Sequence, residues 1–512
     1  MNAAGIGYSA FREAFFSSDP QGARSGAEAD PWDSAQGRRA RYALNWALYS
    51  NDAYSDRAHA WSTSYKAAHG LYKHVRHVYN PAYQIGEFYG HRLLGGRLDE
   101  AAGDGDAEPT ALPILTRHER LRPAIARIWR DSRWQVNKEI YSRWGSVLGD
   151  VVLRVIDDPA RGLVKLEVVH PGHLAWVGFD SSGNVKAYDL ERWESDPRPG
   201  SRGRVKFVER ARRDGDFVTF ETLLNGEPYP WNGTSSAWEV PYGFVPMVIA
   251  RHEPVGGSSW ANNAFYAGQS RFREVDDVGS KLTDHIRKAT EAPMLLINVK
   301  EPDGAETERQ RRSDAATGRD RSRERQRFLH AGQGGDAKHL TFPLDYAGAC
   351  KHVGMLLEAI EKMYPELTAD VSMSGQITAE AIALARDNAT DKVQTRRPGY
   401  EGPLVAAQQM ALAIGGYRGY PGYEGFGLGS YESGDLDHSI GPRPVFGTGP
   451  AEDVRLKSSF WAMIAQQIAL GIPLEIALAN NGWKPADIAR LAAARAKVAP
   501  PTTPAATEGA AR

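Results

Sequence analysis

Only one cysteine, Cys350, occurs among the 512 residues. That excludes an internal disulfide framework and a cysteine-based metal cluster within one chain, and it suits a reducing compartment. Net charge is almost missing as well: 62 Lys and Arg stand against 63 Asp and Glu, giving −1. Attraction to nucleic acid or to an anionic membrane through bulk charge is therefore excluded, which leaves only local patches. No apolar run reaches the roughly 18 residues that a membrane-spanning helix needs. The opening "MNAAGIGYSAFREAFFSSDP" has no basic region followed by an apolar stretch. These absences predict a cytoplasmically made, unprocessed chain with no membrane partner.

Signatures of catalysis are equally sparse. A phosphate-cradling loop needs glycines followed by a Lys-Ser/Thr pair, and "GQGGDAKH" around Lys338 lacks that pair. "GFGLGS" at Gly425 has no strand before it and no helix opening from it, so it is not a dinucleotide loop. His69, His74 and His77 cluster in "HGLYKHVRH", but no third ligand is suitably spaced and a solvated basic face explains them better. No nucleophile elbow and no zincin motif is present. Thirteen Trp among many carboxylates leave a soluble carbohydrate-active enzyme as one alternative, although no spacing points to paired carboxylates over a Trp-lined cleft. The chain reads as a non-enzyme with no catalytic residue, cofactor or metal site.

What is present is an ordinary globular composition, 42% apolar and 24% charged, at a length that suggests about two to four domains. Residues 1–37 and 499–512 hold little to bury and are expected to be disordered arms. From Arg38 to Asp150 the spacing is helical: Ile125, Ile128 and Trp129 share a face, as do Val136 and Ile140. Beyond Gly149 the period becomes that of strands, from "VVLRVID" to "FVTFETLL", with Asp/Asn/Gly turns between them, which predicts an antiparallel meander.

From Asn262 to Thr290 one narrow apolar stripe, Phe265, Phe272, Val275, Val278, Leu282, Ile286 and Ala289, recurs at helical intervals. It predicts a helix of about 43 Å. A short strand, "MLLINV", then leads into some forty residues with few apolar positions, unable to form a core of their own. Between Glu306 and Arg327 this stretch has eight Arg against five acidic residues, a local +3 that reads either as a solvated loop or as a docking surface for an acidic partner or DNA phosphates, the mixed sign favouring a protein over phosphate tracking. A second helix is expected over Asp345–Tyr364, ended by Pro365. Next comes the hydroxyl- and glycine-rich hinge "SMSGQ", and then a helix with few large side chains that Pro398-Gly399 breaks or kinks. A Gly/Tyr-rich loop and a closing helical pair follow. The whole reads as α+β.

The order of these blocks resembles that of portal proteins of tailed bacteriophages, the head-to-tail connectors, of siphophage type. The likeness covers roughly Arg38 to Gly415. It rests on "YNPAYQIGEFYGHRLLGGRL", "WGSVLGDVVLRVIDDP", "VVHPGHLAWVGFDSSGNVKAYDLER", "VPMVIARHEP" and "GQSRFREVDDVGSKLTDHIRKATEAPMLLI". "SMSGQITAEAI" is similar to the segment where such proteins start the helix beside their tunnel loop. The resemblance implies a portal fold: a helical and antiparallel wing over 38–261, and a stem formed by helices at 262–291 and 345–364. It further implies a clip at 292–344, a tunnel loop with its channel-side helix at 365–413 and an α-helical crown at 414–498.

It also implies a ring of twelve identical subunits at one capsid vertex of the virion. The partners would be terminase, a head-to-tail adaptor, the major capsid protein and double-stranded DNA passing through the channel. On this reading Ser372, Met373, Ser374, Gly375 and Gln376 face the DNA. Phe272, Val275, Val278, Leu282 and Ile286 contact neighbouring stems, and Arg321, Arg323 and Arg325 dock the clip partner. Another virion ring or adaptor protein is the alternative. Small residues on a channel-lining helix allow close approach of identical neighbours, and a flexible, weakly polar loop allows sliding past phosphates.

Overall fold

The computed structural model describes residues 35–54, 75–76, 78–94, 113–198, 200–230, 235–256, 258–290, 294–297, 329–330, 336–339, 345–369, 379–446, 450–480, 488 and 491. The chain divides into two units, Met1–Val445 and Phe446–Arg512.

In the first unit, helix α1 (Ala35–Tyr49) buries Tyr42, Leu44 and Leu48. Helix α2 (Pro81–Arg92) is started by Asn80, whose side chain accepts the Tyr83 N–H, with Pro81 in the first turn. After the short strand β1 (Ile114–Thr116), helix α3 (Leu121–Asp131) buries Ile125, Ile128 and Trp129, the face its spacing predicts. Helix α4 (Trp134–Leu148) departs from expectation. Val136 is 64% exposed and Ile140 only half-buried, because the helix packs through Trp134, Tyr141, Val147 and Leu148 on another face.

The strands are β2 (Asp150–Asp158), β3 (Leu163–Val169), β4 (Leu174–Phe179), β5 (Val185–Ser195), β6 (Arg204–Asp214), β7 (Phe217–Leu224), β8 (Glu227–Pro228), β9 (Ala237–Val240) and β10 (Met247–Arg251). All pair antiparallel, but they form two sheets in place of one meander: β10-β2-β3, and β4-β5-β6-β7-β8 with β9 added to β7. The division falls at a 3-10 turn, Pro171–His173, where Pro171 has no N–H to give to a ladder. Buried Arg154 joins the two sheets: it pairs with Glu167 on β3 at 2.6 Å and with Glu209 on β6 at 2.5 Å, and Tyr188 donates to the same Glu209 at 2.6 Å.

Two two-residue strands, β11 (Glu253–Pro254) and β12 (Ala261–Asn262), pair next, and helix α5 (Gln269–Thr290) begins only after a 3-10 turn at Tyr266–Gly268. Its 22 residues span about 33 Å, shorter than the sequence predicts. Residues 261–264 cannot join the helix because their polar groups are committed elsewhere. Ala261 N–H goes to Asp150, the Asn263 side chain to Val147 O, and Ala264 N–H to Ser146 O.

A small sheet follows, β13 (Met294–Ile297) parallel to β14 (Leu329–His330) and antiparallel to β15 (Asp336–His339). Helix α6 (Tyr346–Met363) is capped by Asp345, which accepts the Gly348 N–H at 2.9 Å, and it stops before Pro365. Helix α7 (Ala379–Arg396) and helix α8 (Pro398–Tyr417) meet at the break that Pro398-Gly399 predicts. Helix α8 is buried from Leu404 to Ile414 and packs on β2, β3 and β10, which explains why β2 is apolar on both faces. A short helix, α9 (Leu428–Ser433), does open within "GFGLGS", contrary to expectation, though no strand precedes it, and strand β16 (His438–Ile440) follows, antiparallel to β1.

In the second unit, helix α10 (Pro450–Ala469) and helix α11 (Leu474–Asn480) pack through Ile464, Ala477 and Leu478. The fold is α+β, a mixture of helices and antiparallel sheet. Among the described residues no helix is long and apolar enough to cross a membrane.

Candidate functional site

Helices α5 and α6 lie side by side and run in opposite directions: Arg271 Nη1 donates to Ala359 O at 3.3 Å near one end, and His285 Nδ1 meets Tyr346 Oη at 3.2 Å near the other. The first of these ends is seated in the body of the unit. Gly268 leaves room for the Tyr364 ring, since a Cβ there would stand 2.5 Å from it, and Phe272 packs on that ring at 5.8 Å between centroids.

Burial falls steadily along the apolar stripe. Phe272 and Val275 are covered by their own chain, Val278 and Leu282 are half-buried, and Ile286 is 46% exposed. Tyr346 and Met355, on α6, are likewise exposed. Beside the stripe α5 carries a strap of its own chain. Asp276 accepts the N–H of Val78 at 2.8 Å and that of Tyr79 at 3.3 Å, Ser280 Oγ accepts the Arg76 N–H at 3.1 Å, and Gly279 makes the notch in which Val78 lies. This face of the helix is closed within the subunit.

The seat is rich in buried polar groups. Glu366, in the 3-10 turn that follows α6, is almost fully buried; it accepts from Tyr89 Oη at 2.5 Å and from Lys392 Nζ at 3.2 Å on each oxygen. Lys392 also donates to Met363 O at 2.9 Å and lies 5.2 Å from the Tyr364 ring centroid. Tyr89 meets His252 edge-on at 4.7 Å, and His252 Nδ1 is 2.9 Å from Tyr400 Oη. Burial pushes His252 down to about 3, so it stays neutral, and pushes the Tyr400 phenol well up. Arg397, lowered by burial to about 10, donates to the carbonyls of Arg443 and Arg92 and so ties residues 441–445 to the end of α2.

A second buried cluster fastens the entrance to α5. Asp150 accepts from Tyr42 Oη at 2.8 Å and from Ala261 N–H at 2.9 Å, and pairs with Arg41 at 3.4 Å. Burial pushes its carboxyl up to about 6 in spite of the opposing Arg41 charge and the hydrogen bonds.

The six-stranded sheet shows an open depression of about 500 Å³ lined by Asp189, Arg210, Arg212, Thr219, Glu221 and Ala237, with Trp176 lying 4.9 Å from the Arg212 guanidinium. Asp189 is paired with Arg212, and Glu221 with Arg210 at 3.1 Å. Both carboxylates are thus engaged by arginines, not paired with each other for acid/base work. Among the described residues no group of three His, Cys, Asp or Glu is placed to hold a metal ion.

Of the residues singled out in the sequence, the structure brings the stem stripe together on α5. Ser372, Met373, Ser374, Gly375 and Gln376, together with Thr378, lie outside the described residues, as do Arg321, Arg323 and Arg325 and His69, His74 and His77. No local signal points to the Tyr89–Glu366–Lys392 cluster. Glu366 stands alone in "YPEL", and one of its partners is 277 positions away.

No protein-family model and no curated protein matches the chain. Among solved structures, three matching chains come from particles described as the virion of a native gene transfer agent (GTA) particle, the neck of an empty GTA particle computed with C6 symmetry, and the neck of a native GTA particle computed with C12 symmetry. Their identities are 12%, 10% and 12%, and their TM-scores 0.32, 0.38 and 0.33. Each alignment covers 77% of this chain and, in the same order, 89%, 90% and 89% of the other.

Proposed function

We propose that this chain is the subunit of a portal ring, a virion structural protein through which DNA is packaged and released. The observation that carries the reading is the α5/α6 pair. It is an antiparallel two-helix stalk, seated by buried contacts at one end and increasingly exposed in its apolar residues toward the other, and it brackets residues 291–345. A helix pair that leaves Ile286 and Met355 in water gains from being covered by copies of itself, and a closed ring gives every copy the same cover.

On this reading the pair is the stem, residues 292–344 are the clip with Arg321, Arg323 and Arg325 toward terminase or adaptor, and 365–413 holds the tunnel loop and its channel-side helix. The crown spans 414–498, and exposed Leu470, just after α10, and Ile476 on α11 are further surface for neighbours. The two sheets and α1–α4 form the wing.

Electron microscopy of the purified protein tests this: rings with a central channel wide enough for duplex DNA are expected. Monomers alone would refute the reading, and rings with too narrow a channel would favour a different ring or adaptor of the virion.

A further inference from the structure

We propose that Lys392, Glu366 and Tyr89 form a latch that makes helix α6, the turn at 364–369 and helix α7 shift as one body, so that a displacement of α6 is delivered to α7. The inference does not depend on what an assembled ring conducts.

The turn at 364–369 is where a hinge would be expected. It is short, it contains Pro365, and a few residues at the end of a helix suffice to absorb a domain movement. Three ties oppose that freedom. Lys392 on α7 reaches back to Met363 O at 2.9 Å, one of the last carbonyls of α6, which have no intrahelical donor, and its positive charge is favourable at that end of the helix. The same ammonium grips both oxygens of Glu366 at 3.2 Å. Arg386, lower on α7, donates from Nε to Ala369 O at 3.1 Å, so the turn is held at both ends by one helix.

Glu366 sets the stiffness of the joint. Its side chain is 1% exposed, and it takes a further hydrogen bond from Tyr89 on α2 at 2.5 Å. A buried carboxylate fixed by two partners from two elements has no neighbouring position of comparable energy. Sliding α6 without α7 and α2 would leave the charge buried and unpaired. Helix α7 is in turn anchored at its far end, where Arg396 pairs with Glu253 at 2.8 Å. Motion entering at α6 is thereby passed to α7 through Lys392, both directly at Met363 O and by way of Glu366.

The single native cysteine supplies the probe. Cys350 is exposed on α6, and Gln394 is exposed on α7. Spin labels on Cys350 and on a Gln394→Cys variant of the full chain, diluted with unlabelled Cys350→Ser protein, report the distance between the helices by double electron–electron resonance. A single narrow distribution is expected. It should be lost, broadening or splitting, in Lys392→Met and in Glu366→Gln, with no further loss when the two are combined, and it should be kept in Lys392→Arg. Tyr89→Phe removes only a hydroxyl and provides a milder third variant, read alongside near-ultraviolet circular dichroism to establish that the body remains folded. A distribution as narrow as wild type in Lys392→Met, Glu366→Gln and Tyr89→Phe would overturn the latch. Monomeric protein would sink the portal reading and leave this measurement intact.

Discussion

Gly145 lies against Tyr400 so closely that a Cβ placed on it would stand 2.3 Å from the phenolic oxygen. The ring cannot swing aside, because its hydroxyl meets His252 Nδ1 at 2.9 Å and its own carbonyl accepts from Tyr141 Oη at 3.0 Å. Gly145→Ala is expected to destabilise the first unit by about 1–3 kcal/mol, the usual cost of overpacking. Gly354, on α6, meets nothing within 4 Å of its virtual Cβ. Gly354→Ala should instead stabilise by up to about 1 kcal/mol through helix propensity. Shifts of the denaturant midpoint in opposite directions are the expected result, and an unchanged or raised midpoint in Gly145→Ala would show that the α4–α8 contact is looser than described.

Asp150 makes stability depend on pH in a particular direction. Burial raises its folded pKa to about 6 from the ordinary 3.8, so between those values the folded chain holds a proton that the unfolded chain has lost. Its contribution is therefore fully present below about 4 and declines as pH rises through 6, by on the order of 3 kcal/mol in all. Asp150→Asn keeps the size of the side chain and an oxygen for the Ala261 N–H. The stability difference between wild type and Asp150→Asn should move in favour of wild type as pH falls from 7 to 4, measured by urea unfolding; a difference that does not change with pH would mean that Asp150 is ionised throughout.

Much of the architecture could be read from the sequence because it is local. Strand periods, the helical face of Ile125, Ile128 and Trp129, the end of a helix before Pro365 and the break at Pro398 are each decided within a few residues. The misreadings come from distant partners. Residues 262–268 have the apolar spacing of a helix, yet Val147 and Ser146 claim the Asn263 side chain and the Ala264 N–H. The Val136 and Ile140 pair has helical spacing too, but α4 is turned so that Gly145 meets Tyr400 and Trp134 is buried, which leaves Val136 in solvent. The seat of the stem was not legible at all, because Tyr89, His252, Glu366, Lys392 and Tyr400 converge from five separate elements.

Leu282 separates folding from assembly. It lies between Val278, half-buried, and Ile286, 46% exposed, beyond the part of the stripe that Phe272 and Val275 bury within the subunit. Leu282→Asp is expected to abolish rings while the thermal transition of the two sheets changes little, since a neighbour that covered the stripe would bury an unpaired charge at a cost of several kcal/mol. Normal rings from Leu282→Asp protein would take the stem contact out of the proposal.

The proposed tunnel loop is tested by what passes it. If Ser372 to Gln376 touch moving DNA, the contact has to deform and stay weak, because each neutralised phosphate adds a salt-sensitive anchor that slows translocation. Gly375→Pro removes the backbone freedom of the hinge, and Ser374→Lys combined with Gln376→Lys adds two anchors per subunit around the channel. Both variants should form rings and empty heads yet package less DNA per head at fixed terminase and ATP. Thr378→Ala serves as the contrast. In the sequence Thr378 directly precedes Ala379 and has the hydroxyl of an N-cap, so its loss should cost about 1 kcal/mol of local helix order, adding no positive charge to meet the phosphates. Full heads from both loop variants would place residues 372–376 away from the DNA path, whatever the ring looks like.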